Sequence, residues 1–97
     1  MDEALHHFIM AIRTTLVTSQ PEIGTLIYEL RQLTGLTQAK FAASLGFTYP
    51  TVSRWENGHA HPSPIAIQKI ERLLHRLGAP GEDLMHKYLA ESRISKR

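Results

Sequence analysis

The sequence predicts an all-α fold, a compact bundle of about five helices with an extra amphipathic helix at the N-terminal end. Three observations carry that expectation. Apolar residues recur at steps of three and four, no stretch reads convincingly as a strand, and glycines and prolines fall between the periodic stretches. A length of 97 residues fits one domain, and 42% hydrophobic residues is too many for a disordered chain. The expected organisation is an N-terminal helix and linker over 1–20, one domain over 21–92 and a frayed tail over 93–97.

Leu5, Phe8, Ile9, Ile12 and Leu16 set an amphipathic helix over 3–17, which Thr18, Ser19, Gln20 and Pro21 break. A second helix, over about 22–34, turns Ile23, Leu26, Ile27, Leu30 and Leu33 inward and leaves Glu22, Glu29, Arg31 and Gln32 mostly outward. Gly35 is placed to end it in the left-handed conformation. Thr37 caps the next helix, about 38–45, with Leu36 set to pack on Phe41 across the cap. Thr48 or Tyr49 caps the one after, whose first turn tolerates Pro50 because the amides there lack intrahelical partners. Val52 and Trp55 point inward, whereas Tyr49, Pro50, Ser53 and Arg54 face out. Ser63 and Pro64 open a helix to about Leu77 with an apolar face of Ile67, Ile70, Leu73, Leu74 and Leu77. Ala79, Pro80 and Gly81 read as a break before a short last helix holding Leu84, Met85, Tyr88 and Leu89.

Residues 38–57 are the most informative part of the chain. Ala42 is small enough for two helices to cross closely, Gly46 accepts the positive φ of a tight turn, and Val52 brings the second helix back onto the first. Such a unit is able to place one helix in a DNA major groove.

The run LRQLTGLTQAKFAASLGFTYPTVSRWENGHAHPSP, within about Ile23 to Leu74, resembles the lambda-repressor-like helix-turn-helix family. It is similar in particular to small regulators and antitoxins that share the RWENG and PSP elements. The resemblance implies DNA binding as a homodimer. It gives Gln38, the opening glutamine of the first motif helix, a phosphate contact. It assigns base reading to Tyr49, Pro50 and Arg54 on the helix spanning 49–57, and a backbone bond to Asn57.

The chemistry of these side chains agrees with those roles. Arg54 carries a planar fork of donors that matches the two major-groove acceptors of guanine, the alternatives being a phosphate contact or an ion pair with Glu56. Tyr49 suits a phosphate or a thymine methyl, or else lies on the helix surface. Pro50 has no side-chain donor, so apolar contact or shape must serve there. Gln38, Thr51 and Asn57 are neutral donors fitted to fixing register on phosphates, and Lys40 adds a longer-range attraction. Thr51 bonding its own helix and Asn57 capping the helix end are the structural alternatives. Trp55 belongs to the core by its spacing from Val52.

Charge is distributed unevenly, −3 over residues 1–30, +2 over 31–62 and +3 over 63–97. That asymmetry suits one face on phosphates and another turned away. No metal or cofactor is expected: cysteine is absent, and His6, His7, His59 and His61 lack the helical pairing or adjoining ligands of a metal site. His59 and His61 instead approach phosphates or stay in solvent. Neither a basic leader nor an apolar run of about 18 residues is present, so a cytoplasmic protein is expected and no membrane partner.

One small domain selects a genomic site too weakly alone, so pairing on two half-sites is expected. Leu77, Leu84, Met85, Tyr88 and Leu89 offer one surface for it, and Leu5 to Leu16 another. The leading functional expectation is a sequence-specific transcriptional regulator of double-stranded DNA, most simply a dimeric repressor. The alternatives are an antitoxin that grips a toxin and represses its own operon, and a protein-interaction module that retains the fold without DNA affinity. No constellation of an enzyme is present.

Overall fold

A computed structural model describes residues 16–90, in which five helices follow one another: α1 (Glu22–Thr34), α2 (Gln38–Leu45), α3 (Tyr49–Glu56), α4 (Pro64–Arg76) and α5 (Ala79–Lys87). No strand occurs among these residues, apart from a single antiparallel bridge between Leu16 and Leu89. The helix expected over 3–17 lies outside the described residues except for its last two positions. Those two are extended rather than helical: the Val17 amide donates to the Tyr88 carbonyl at 2.8 Å, and Leu16 is buried beside it.

α1, α2 and α3 begin and end where the sequence places them, because local chemistry fixes their ends. The Thr37 hydroxyl accepts the Lys40 amide at 3.2 Å, and Thr48 and Ser63 do the same for Thr51 and Ala66. Gly46 stands at φ 80°, so that the Phe47 amide reaches back to the Ala42 carbonyl at 2.8 Å and the Gly46 amide to Ala43 at 3.1 Å. A side chain at that φ meets its own backbone, which is why the turn needs glycine. Gly58 closes α3 in the same way, with His59 bonded to the Arg54 carbonyl.

α1 lies at the centre. It packs on α2, α3 and α5, while α4 packs on α5 and sends Ala66, Ile70 and Leu74 into the same core. Ile23, Leu26, Ile27, Leu30, Phe41, Ala42 and Val52 are wholly enclosed there. Trp55 meets Phe47 edge to face, with ring centroids 5.0 Å apart.

Three expectations fail here. Leu33 is 45% exposed: it continues the apolar stripe of α1 but stays at the surface, beside Pro80, Asp83 and Leu84 of α5, without being covered by them. Ala79, Pro80 and Gly81 are the first turn of α5, not a break, because proline is tolerated among amides that need no helical partner. Leu84, Met85 and Tyr88, offered above as a pairing surface, are buried in the domain's own core against α1 and α4.

Candidate nucleic-acid interface

α3 has two sides of opposite character. Val52 and Trp55 face α1 and α2, whereas Tyr49, Pro50 and Arg54 are exposed. Pro50 and Arg54 stand four residues apart and therefore lie on one stripe, with Tyr49 at its head. Tyr49 is 53% exposed. Among the described residues no side chain pairs with Arg54, so its guanidinium is free for an external acceptor.

The ion pair between Arg54 and Glu56 does not form. Glu56 turns inward, where its carboxylate meets Arg31 through two bonds, Nε to Oε2 at 2.9 Å and Nη2 to Oε1 at 3.1 Å. The Arg31 and Glu56 side chains are 15% and 5% exposed, so the outward position expected of Arg31 is also wrong. Hydrogen bonding to Glu56 raises the Arg31 pKa above its ordinary value, against the opposing effect of burial. The same carboxylate accepts from Gln38 Nε2 at 2.9 Å. Arg31 also reaches the Leu36 carbonyl at 3.4 Å and lies 5.4 Å from the centre of the Tyr28 ring. One carboxylate thus joins α1, the start of α2 and the end of α3.

The remaining candidates are distributed around this frame. Lys40 is exposed on α2, two residues beyond Gln38. Thr51 is half-buried and its hydroxyl lies 2.9 Å from that of Thr48, a bond within the helix start. Asn57 is exposed just past α3, its amide 3.4 Å from the Ser53 hydroxyl. His59 and His61 are exposed in the loop that follows. Gln38, half-buried, is the member whose side chain is held by a charged group.

Two supports were hidden in the sequence. Gln20, read there as part of a break, donates from Nε2 to the carbonyls of Trp55 at 3.0 Å and Ala60 at 2.7 Å, and its Oε1 accepts the Gly24 amide at 3.0 Å. It therefore fastens the end of α3 to the start of α1. Lys69 donates to the Leu45 carbonyl at 3.0 Å and sits over the Phe47 ring, which secures the end of α2. The Arg31–Glu56 pair, by contrast, had a signal: Arg31 extends the buried Ile23–Ile27 stripe by one more turn, and Glu56 lies four residues after buried Val52. Two opposite charges on core-facing positions mark a buried pair.

Among the described residues no group of histidine, aspartate and glutamate is arranged to hold a metal, and no helix is long and apolar enough to cross a membrane. No curated protein and no solved structure shows significant similarity to the chain. A helix-turn-helix family model matches residues 27–76, just over half of the chain, and spans α2, α3 and most of α1 together with α4. α2, the glycine turn at Gly46 and α3 form a helix-turn-helix within the matched residues, and the chain belongs to the lambda-repressor-like helix-turn-helix family of DNA-binding regulators.

Proposed function

We propose that this protein is a sequence-specific transcriptional regulator that binds double-stranded DNA as a homodimer and represses by occluding a promoter. The observation that carries the reading is the stripe of Tyr49, Pro50 and Arg54, exposed on a helix whose opposite side is locked into the core. Arg54 reads a base by its two-pronged donor set, Tyr49 contacts a phosphate or a thymine methyl, and Pro50 contributes shape. Gln38, Lys40, Thr51 and Asn57 fix the register on phosphates. Two copies are needed because one domain of this size reaches too few base pairs to select a site.

The test is a binding titration on DNA from upstream of its own gene and on random duplex, at several salt concentrations. Regulation of this kind requires preference for the upstream duplex by roughly 10³-fold or more and a steep loss of affinity with salt. Equal, weak binding to both duplexes sinks it. Analytical ultracentrifugation of the complex checks the dimer, since two protomers must load on each operator.

A further inference from the structure

Gln38 differs from the other candidate phosphate contacts in one respect: its amide is already bonded to a carboxylate inside the protein. A carboxylate beside a phosphate contact is unfavourable unless its charge is neutralised. Glu56 is neutralised, since both of its oxygens are held by Arg31 and its side chain is 5% exposed. The Gln38 Nε2 group has two protons and Glu56 Oε1 takes one of them.

Resting on the reading that Gln38 touches a DNA phosphate, we propose that Glu56 and Arg31 are positioning residues for that contact: Glu56 holds one Gln38 amide proton so that the other is presented to the phosphate, and Arg31 cancels the repulsion between carboxylate and phosphate. A glutamine held in this way loses less rotamer freedom on binding than a free one. The arrangement also couples the contact to the fold, because Arg31 belongs to α1, Gln38 to α2 and Glu56 to α3.

A double-mutant cycle tests it, read as dissociation constants for duplex DNA at temperatures where circular dichroism shows each variant folded. Gln38→Ala weakens binding to all sequences by roughly 2- to 10-fold, the size of one hydrogen bond. Glu56→Asp retains the charge but withdraws the oxygens by one methylene, and weakens binding by a similar factor. In combination with Glu56→Asp, Gln38→Ala costs no more than about twofold extra.

Losses that multiply in the double variant overturn the proposal. In that case DNA binding by the parent, with Gln38→Ala still weaker, leaves the functional reading intact. A parent that binds no duplex overturns both. The unsubstituted protein supplies a check that no folding defect can obscure. One of the two Gln38 side-chain amide protons is protected from exchange before DNA is added, and the other shifts when it binds. Free exchange of both in the absence of DNA overturns the proposal.

Discussion

Gln20 and Trp55, 35 residues apart, are joined by a 3.0 Å hydrogen bond from the Gln20 side-chain amide to the Trp55 carbonyl. The same nitrogen bonds the Ala60 carbonyl, and the Gln20 oxygen takes the Gly24 amide, so one side chain satisfies three backbone groups where α3 ends. Gln20→Ala leaves these groups without their partner and costs about 1–3 kcal/mol. Denaturant titration reads the loss as a lower midpoint with an unchanged slope. A change below about 0.5 kcal/mol would show that water replaces the side chain at no cost.

Arg31→Met removes one half of the pair with Glu56 and leaves a carboxylate 5% exposed without its counter-charge. Breaking a pair from one side costs about 3–5 kcal/mol when both partners are buried. Arg31 is 15% exposed, so the lower part of that range is expected. The pH dependence follows from the raised Arg31 pKa. A basic group whose folded pKa lies above its unfolded value contributes fully below the unfolded value and loses its contribution only as pH rises through the folded one. For an arginine that window lies beyond ordinary working conditions. The stability difference between parent and Arg31→Met measured by denaturant titration therefore stays constant from about pH 7 to about pH 10. A gap that closes over that range would show that Arg31 is not the group sustaining it.

Helix limits were legible in the sequence because they depend on neighbours along the chain: Thr37, Thr48 and Ser63 cap the helices they precede, and Gly46 takes the left-handed turn. The exposed and buried sides of α3 were legible too, since Val52 and Trp55 against Pro50 and Arg54 is a matter of helical period. What escaped the reading was tertiary. Leu33 fits the apolar stripe of α1 but lies at the open edge beside α5, and no local pattern records which part of a stripe a neighbouring helix covers. Gln20 looks like any polar residue of a linker, and its role depends on carbonyls 35 and 40 residues away. Glu56 stands two residues from Arg54 along the chain, whereas the cation that binds it is 25 residues distant on α1.

Arg54→Ala separates recognition from stability. The side chain is exposed and unpaired among the described residues, so its loss changes unfolding free energy by less than about 0.5 kcal/mol. On DNA the expected effect is about 1–3 kcal/mol of lost discrimination at one base pair, with little change in affinity for a duplex already altered there. Competition binding against a set of single-base-pair operator variants reads this directly. A uniform loss across all variants, with a shallower salt slope, would make Arg54 a phosphate contact instead.

Gly24→Ala probes how closely α3 is seated on α1. Gly24 lies in the first half of α1 and is buried, and a Cβ placed on it runs into the backbone carbonyl of Trp55, with the Gln20 Oε1 and the Glu56 carbonyl also near. In an exposed helix the change from glycine to alanine is favourable by up to about 1 kcal/mol. Here the obstacle is main chain that no rotamer change removes, so the end of α3 must shift and the Gln20 bonds to Trp55 and Gly24 stretch with it. Overpacking of this kind costs about 1–3 kcal/mol, which outweighs the helix preference and makes the variant less stable. Because the shift falls at the end of α3, operator affinity drops even where the variant is fully folded. Thermal melts paired with DNA titrations check both parts, and a Gly24→Ala protein more stable than the parent would mean that α3 moves away from α1 without strain.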